Sequence, residues 1–254
     1  MDFEVCFLPS EATRRPSPVA VLIDVIRAST TIVTLLDRGA PEVVLVRQAD
    51  LAKLGEVRAK VGPALVCAED ASGVKAAAAD LSPSPAALRD LDLAGHRVIF
   101  ATTNGTLAAA LLQQAGVEQV LIGCMRNGAA VMAEAVALAR RLDRGISLVC
   151  AGRHGCQIPA VDDVYCAAAL LRHGEELATS VGITATLLES AKIARAASTV
   201  FSGTDEAFDQ SMSAAVVRRI GAPDDVPYCA AENVTRCVPL VTFKNGAALV
   251  HNVG

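Results

Sequence analysis

Residues 98–106 read Val-Ile-Phe-Ala-Thr-Thr-Asn-Gly-Thr, an apolar run that ends abruptly in small polar residues. Residues 107–114 follow at once and are rich in alanine and leucine, which favours a helix. A strand, a tight polar turn and a helix N-terminus in this order can bind an anion, because free N–H groups and the positive end of the helix dipole converge there. The strand-like residues 19–23 and the polar residues 24–31 repeat this arrangement. Two such turns predict an α/β fold with a site for a small phosphorylated anion.

Both turns carry groups that suit an anion. The candidate substrate-binding residues of these turns are Ser29, Thr30, Thr103, Asn104, Gly105 and Thr106. Their hydroxyl and amide groups can donate hydrogen bonds, and Gly105 lets the backbone approach a ligand closely. The alternative is that they are ordinary helix N-caps. Neither turn is a Walker A loop or a Gly-x-Gly-x-x-Gly fingerprint, so we do not expect a nucleoside triphosphate or NAD held in the usual way.

The composition favours a buried parallel sheet covered by helices. The 254 residues are 52% hydrophobic and only 3% aromatic, with no Trp, so the core has to be packed from Ala, Val, Leu and Ile. Strand and helix patterns alternate, and no linker separates two different halves. We therefore expect a single domain over residues 1–254, a three-layer α/β/α fold with a mainly parallel mixed sheet.

Periodicity gives the approximate elements. The predicted strands are 19–23, 43–47, 64–67, 97–101, 119–122 and 146–150, and the predicted helices are 32–36, 50–60, 107–114, 129–142, 163–171, 184–197 and 206–220. Residues 238–250 predict a C-terminal β-hairpin, because an Asn245-Gly246 turn tolerates positive φ at both central positions. Residues 69–95 are irregular, either as a functional lid or as a mobile loop.

Charge and cysteine usage limit the partners. The formal net charge is −4 and no basic stripe is visible, so we expect no nucleic-acid partner. No apolar run approaches the length of a membrane span, and an N-terminus with Asp2 and Glu4 does not resemble a signal peptide. The eight cysteines contain no Cys-x-x-Cys pair and are expected to be reduced thiols. We expect a cytoplasmic protein without a membrane partner, and leave open whether it forms a homo-oligomer.

Four polar loops directly follow predicted strands. They comprise residues 24–31, 69–73, 102–106 and 151–163. Ligands of parallel α/β sheets bind outside the carboxyl ends of the strands. We therefore expect the four loops to converge on one edge of the sheet.

The loops contain groups for phosphate chemistry. Asp24 can bind a divalent cation or accept a proton, or else cap the following helix. Arg27 offers a planar fork that suits phosphate, the alternative being a surface salt bridge. Of the adjacent Asp162 and Asp163, one can ligate a metal while the other caps a helix. Carboxylate oxygens together with a phosphate favour Mg²⁺ over zinc.

Covalent phosphatase mechanisms have little support from the spacing. The cysteines lack the Cys-x5-Arg pattern, and the second residue after Asp24 is Ile26 rather than a second Asp. Arg153 is a further candidate for substrate binding. His154 is either an acid or a surface residue.

Several segments, in this order, resemble the 2-phosphosulfolactate phosphatase (ComB-like) family. The matching segments are 21–31, 102–106, 150–152 followed by Asp162-Asp163, and 225–229 followed by 238–239. The resemblance implies an α/β/α fold, Mg²⁺ and hydrolysis of a phosphomonoester. It implies Asp24, Arg27 and Asp163 as catalytic residues, and Asp24, Glu69, Asp162 and Asp163 as metal ligands.

Two departures from the family pattern bear on the substrate. Ala68-Glu69-Asp70 replaces Gly-Glu-Arg, and Ser82-Pro83-Ser84-Pro85 replaces Gly-Asn-Ser-Pro. If Asp70 faces the site, it disfavours a second anionic group on the substrate by about tenfold or more. If it points to solvent, it has no part in selection.

The leading hypothesis is a Mg²⁺-dependent phosphatase that acts on a small phosphorylated carboxylate or sulfonate. The second is a non-catalytic relative that binds an organic phosphate, which the Asp70 departure favours. The third is a cysteine-based hydrolase that uses Cys150 or Cys156.

Overall fold

Short apolar runs form most of the strands, and alanine-rich runs form many of the helices that follow them. The computed structural model describes residues 1–244 and 247–254. The strands are β1 (Asp2–Cys6), β2 (Val19–Ile23), β3 (Val43–Leu45), β4 (Leu65–Ala68), β5 (Val98–Ala101), β6 (Gln119–Ile122), β7 (Ile146–Cys150), β8 (Thr186–Leu187), β9 (Pro239–Lys244) and β10 (Ala247–Asn252). The helices are α1 (Pro9–Arg14), α2 (Ala28–Asp37), α3 (Leu54–Val61), α4 (Pro85–Leu88), α5 (Gly105–Gln114), α6 (Gly128–Leu142), α7 (Val161–Ser180), α8 (Glu189–Ser198), α9 (Thr204–Asp209), α10 (Met212–Arg219) and α11 (Asp225–Ala230).

The ten strands form one mixed sheet in the order β4-β5-β3-β10-β9-β6-β2-β7-β1-β8. Its pairs are parallel, except that β10 is antiparallel to β3 and β9, and β9 is antiparallel to β6. The C-terminal hairpin therefore lies in the middle of the sheet, between two parallel groups of strands. The predicted α/β fold, mixed sheet and hairpin are confirmed, while the Asn245-Gly246 turn lies outside the described residues.

The sheet is strongly coiled, because loops from distant strands touch. β5 and β2 are five strand pairs apart, which corresponds to about 24 Å in a flat sheet. The chain from Ala101 to Gly105 can span at most about 14 Å, yet a Cβ built on Gly105 would lie 3.4 Å from the Cβ of Asp24, the residue directly after β2. A twist of roughly 20–25° per strand pair accumulates over this distance. Twist and coiling bring the ends of β5 and β2 together, although the hairpin reverses the strand direction between them.

Helices cover both faces of the sheet, as the alternation along β5 shows. Val98 and Phe100 face the main core, whereas Ile99 and Ala101 face a smaller core that packs against α3. Helices α6 and α7 pack on each other and on the central strands, and α1 and α5 also pack against this part of the sheet. This is the three-layer arrangement that the composition predicted.

Several predicted helices differ from the observed ones. Residues 184–197 contain β8 before α8 begins, and residues 206–220 contain two helices. The second of these starts afresh because Ser211 caps it, with the Ala214 N–H donating to Ser211 Oγ at 3.0 Å. Residues 50–60 begin as a 3-10 helix rather than an α-helix. Strands β1 and β8 and helices α1, α4 and α11 were not predicted, and α4 lies within residues 69–95, which were expected to be irregular.

The core is built mainly from Ala, Val, Leu and Ile, as expected. Phe3, Phe100 and Phe208 are the largest fully buried side chains. All eight cysteines are buried and free of disulfide bonds, which confirms the expectation of unpaired thiols. Within the described ranges, no helix is both long and apolar enough to cross a membrane.

Candidate active site

A cavity of about 390 Å³ lies where the loops after β2, β4, β5 and β7 meet. These are the four loops that the sequence expected to converge, and helix α10 forms a further wall. The ionisable residues along the cavity are Asp24, Arg27, Glu69, Arg153, His154, Asp162, Asp163 and Arg219. The structure therefore gathers acids and cations, distant in sequence, around one small volume.

Asp163 joins the loop after β2 to the loop after β7. Its Oδ1 accepts the N–H of Val25 at 2.9 Å, and its Oδ2 accepts the N–H of Gly152 at 3.0 Å. Burial raises the pKa of Asp163 well above its usual range, and the charges of Asp162 and Asp24 add to the rise. Because both oxygens accept backbone N–H groups, Asp163 holds the two loops at the cavity.

Asp24 lines the cavity directly after β2. The N–H of Ala28 donates to its Oδ1 at 3.4 Å, and the backbone of Gly105 packs against its carboxylate. Burial raises the pKa of Asp24 to about 7, and the charges of Glu69 and Asp162 add to the rise. Asp24 is thus a helix cap and also a carboxyl group that titrates near neutral pH.

Asp162 is buried in the first turn of α7. Burial raises its pKa to about 6, while hydrogen bonds and the nearby charge of Arg153 oppose the rise. The hydroxyl of Ser213 donates to its Oδ1 at 3.1 Å. Ser213 belongs to α10, and no local pattern around it indicated a place at the site.

The guanidinium of Arg27 is held between two carboxylates. Its Nη1 donates to Asp225 Oδ2 at 3.1 Å, and its Nη2 donates to Glu69 Oε2 at 3.2 Å and to the carbonyl of Gly73 at 2.7 Å. The side chain is 5% exposed, which excludes the surface salt bridge considered as the alternative. The positive charge of Arg27 is therefore neutralised within the protein before any phosphate binds.

Glu69 extends this network to the loop after β5. Its Oε1 accepts the N–H and the hydroxyl of Thr103, both at 3.1 Å. Asn104 Nδ2 donates to Thr103 Oγ1 at 3.2 Å, and Asn104 Oδ1 accepts the N–H of Gly155 at 3.0 Å. Thr103 and Asn104 line the cavity, but these polar groups connect one loop to the next.

The two helix N-termini are less open to an anion than the sequence suggested. The N–H of Ala28 donates to Asp24 and that of Thr103 donates to Glu69, and the Asp24 carboxylate also packs against Gly105. The expectation of free N–H groups is wrong for Ala28 and Thr103, because carboxylates of the protein already occupy the positive ends of α2 and α5.

Three predicted hydroxyls bond to the backbone. Ser29 Oγ accepts the N–H of Asp24 at 3.2 Å, and the hydroxyls of Thr30 and Thr106 donate to backbone carbonyls at 2.8 and 2.7 Å. These three side chains are buried and do not line the cavity, which corrects their placement as substrate contacts. Thr102 does line it, and its buried Oγ1 has no hydrogen-bond partner in the described part of the chain.

Arg153 and Arg219 are the other two cations of the cavity. Neither side chain forms an ion pair or a hydrogen bond with the residues that the structure describes. Arg153 was predicted, but Arg219 was not, because a pair of arginines at the end of a helix is typical of a solvated face. His154 also lines the cavity and is exposed.

The two departures from the family pattern serve structural contacts. Asp70 is exposed, and its Oδ1 accepts the N–H and the hydroxyl of Ser72 at 2.8 and 2.6 Å. It does not line the cavity, so the structure does not support a direct repulsion of substrate by Asp70. In the second segment, the carbonyl of the departing Pro83 accepts the hydroxyl of Thr31 at 3.1 Å. The hydroxyl of Ser84, which matches the family pattern, donates to Asp225 Oδ1 at 2.7 Å and so supports the partner of Arg27.

The cysteines are poorly suited to nucleophilic catalysis. Burial raises the pKa of Cys150 well above its usual range and that of Cys156 to about 12. The thiolate is the reactive form of cysteine. The third hypothesis, a cysteine-based hydrolase, is therefore not supported.

The carboxylates of the cavity differ in how fully the protein itself occupies their oxygens with hydrogen bonds and ion pairs. Glu69 bonds to Arg27 and Thr103, and both oxygens of Asp163 accept backbone N–H groups. The described residues contain no group of three or more His, Cys, Asp or Glu placed to hold one metal ion. Asp24 and Asp162 remain, and the unpartnered hydroxyl of Thr102 lines the same cavity. This set fits Mg²⁺, which commonly takes one or two carboxylates and completes its shell with waters and phosphate oxygens.

Comparison with known proteins gives the family. The family model described as 2-phosphosulpholactate phosphatase matches residues 6–244. A probable 2-phosphosulfolactate phosphatase of Deinococcus radiodurans is 34% identical over 221 residues, which cover 87% of this chain and 86% of that protein. A protein of the same name from Thermus thermophilus is 29% identical over 253 residues, 98% of each chain. These names denote phosphoric monoester hydrolases, the class that the motifs predicted. The chain belongs to the 2-phosphosulfolactate phosphatase family.

Proposed function

We propose that this protein is a Mg²⁺-dependent phosphatase that hydrolyses a small phosphorylated organic acid in the cavity around Asp24. The observation that carries the proposal is the pairing of Asp24 and Asp162, two buried acids whose pKa values are raised to about 7 and about 6. Charges of one sign held together in a buried site favour the binding of a cation. Family membership supplies the reaction class.

The residues around the cavity have separate roles in this proposal. Asp24 and Asp162 would hold Mg²⁺, which supplies positive charge for the phosphoryl oxygens when it is bound. Asp163 and the Arg27 network position the loops, and Arg153 offers a charged donor to the phosphate ester. Helix α10 restricts the access of bulk water to one side of the cavity. We also propose a cytoplasmic location, which the eight unpaired cysteines support.

Phosphate release tests the proposal. The protein is incubated with glycerol 2-phosphate, glycerate 2-phosphate and 2-phosphosulfolactate, with Mg²⁺ or with excess EDTA. We expect release from at least one ester with Mg²⁺ and none with EDTA. Binding without release would favour the alternative, a non-catalytic relative that binds organic phosphates. Release that EDTA does not change would contradict the metal dependence.

A further inference from the structure

We propose that Arg219, on helix α10, selects substrates that carry an anionic group in addition to the phosphate. This inference rests on the proposed phosphatase function and assigns a residue to its substrate specificity. Arg219 lies outside every segment that carried the family resemblance.

The charge distribution of the cavity supports the assignment. Arg27 is neutralised by Glu69 and Asp225. Arg153 and Arg219 line the same cavity and have no ionic partner within residues 1–244 and 247–254. A guanidinium that faces a concave site without a carboxylate of its own is matched to the oxygens of an anionic ligand.

Arg219 is more exposed than the acids at the expected phosphate position. Asp24, Asp162 and Asp163 are 9%, 1% and 2% exposed and form the floor of the cavity. Arg219 is exposed and forms part of the rim. A phosphate drawn to a cation on the floor leaves the rest of the substrate near the rim. Arg219 is therefore placed for the tail of the substrate rather than for its phosphate.

Helix α10 holds Arg219 in this position. The hydroxyl of Ser213 donates to Asp162 at the start of the helix. Near its other end, a Cβ built on Gly73 would lie 3.5 Å from Ile220 Cδ1 and 3.8 Å from Val216 Cγ1. The helix thus packs on the loop after β4 and is fixed to the floor of the cavity. Its rim cation faces the substrate from a rigid element.

This assignment reverses the selectivity expected from the sequence. Asp70 in place of an Arg suggested that a second anionic group is disfavoured, but Asp70 bonds to Ser72 outside the cavity. The charged side chains near the rim of the cavity are instead the cations Arg153 and Arg219. A substrate with an anionic tail is therefore favoured over its neutral analogue.

Two variants and two esters test the inference. Glycerate 2-phosphate and glycerol 2-phosphate differ only in that a carboxylate replaces a hydroxymethyl group. Arg219→Met is compared with Arg218→Met, because the neighbouring Arg218 pairs with Asp209 and does not line the cavity. We expect Arg219→Met to lower kcat/KM for glycerate 2-phosphate about tenfold, mainly through KM, as for the loss of one charged hydrogen bond. In Arg219→Met we expect kcat/KM for glycerol 2-phosphate to change by less than about twofold. In Arg218→Met we expect kcat/KM for both esters to be unchanged.

Each other outcome has a separate meaning. Equal losses on both esters in Arg219→Met, or no loss on either, would overturn the inference. If the wild-type protein hydrolyses neither ester, the proposed function fails only when 2-phosphosulfolactate is not hydrolysed either. The inference is then decided by calorimetric titration of the same two esters into the same variants, where it requires selective weakening of glycerate 2-phosphate by Arg219→Met. Absence of that selectivity overturns it.

Discussion

The backbone of Gly105 packs directly on the side chain of Asp24. A Cβ built on Gly105 would lie 2.9 Å from Asp24 Oδ2 and 2.7 Å from the Cβ of Ala28. Strands β5 and β2 are well separated in the sheet, so this contact is where their loops join to form the cavity. The missing side chain at residue 105 is therefore a condition for the site.

We expect Gly105→Ala to destabilise the fold by about 1–3 kcal/mol, because an added methyl group has no room there, and to lower kcat by separating the two loops. Gly55→Ala is the matched control, since nothing lies within 4 Å of a Cβ at that helical position. The measurements are urea unfolding and phosphate release. Wild-type stability and kinetics in Gly105→Ala would show that the loops are not in close contact.

Asp225→Ala removes one of the two carboxylates that hold Arg27. Breaking a buried pair leaves an uncompensated charge, so we expect a loss of about 3–5 kcal/mol in the free energy of unfolding. The control is Glu189→Ala, which removes the exposed partner of Lys192 and is expected to change the free energy of unfolding little. Similar small losses in both variants would mean that Arg27 does not depend on Asp225.

The acids of the cavity predict how stability without a metal depends on pH. In the folded protein the pKa values of Asp24 and Asp162 are raised to about 7 and about 6, from an ordinary value of 3.8. Between these values the folded state retains protons that the unfolded state releases, so their contribution to stability falls as the pH rises from about 4 to about 7. In EDTA, Asp24→Asn should therefore be the more stable protein at pH 8, with a Tm higher by about 4 °C or more. The opposite order of Tm values would contradict the unfavourable burial of Asp24.

Mg²⁺ should offset the destabilisation that the buried charges of Asp24 and Asp162 cause in the wild-type protein. Ligand binding to the folded state stabilises it in proportion to the logarithm of the ligand concentration. We therefore expect added Mg²⁺ at pH 8 to raise the Tm of the wild type and of Asp70→Asn, whose altered acid is exposed and outside the cavity. We expect no such rise in Asp24→Asn or Asp162→Asn. An equal rise of the Tm in all four proteins would mean that Mg²⁺ binds outside this cavity.

Local sequence patterns were sufficient to find the loops and their acids. An apolar run followed by a polar turn and a helix marks the end of a strand, and this placed Asp24 and Thr103 beside the cavity. The same patterns could not show that Thr30 and Thr106 turn their hydroxyls to the backbone, because both orientations suit a helix start. The sequence also gave no signal for Arg219, which reaches the cavity only through tertiary packing.

The convergence of the loops was predicted for an incomplete reason. The expectation assumed parallel strands that end at one edge, whereas the antiparallel pairs of β9 and β10 reverse the strand direction between β3 and β6. The coiling of the sheet nevertheless brings the loops together. Coiling is a property of the whole sheet, so no single segment of the sequence encodes it.

The most direct test of the central claim, that the cavity around Asp24 hydrolyses a phosphate ester, is the kcat for Mg²⁺-dependent phosphate release by the wild type and Asp24→Asn. We predict that release by Asp24→Asn falls to the background rate, while its unfolding in EDTA remains cooperative with a Tm equal to or above that of the wild type. A variant that retains the wild-type kcat would contradict the claim. So would a collapse of the Tm with normal activity in the remaining folded fraction, since Asp24 would then be only a structural cap.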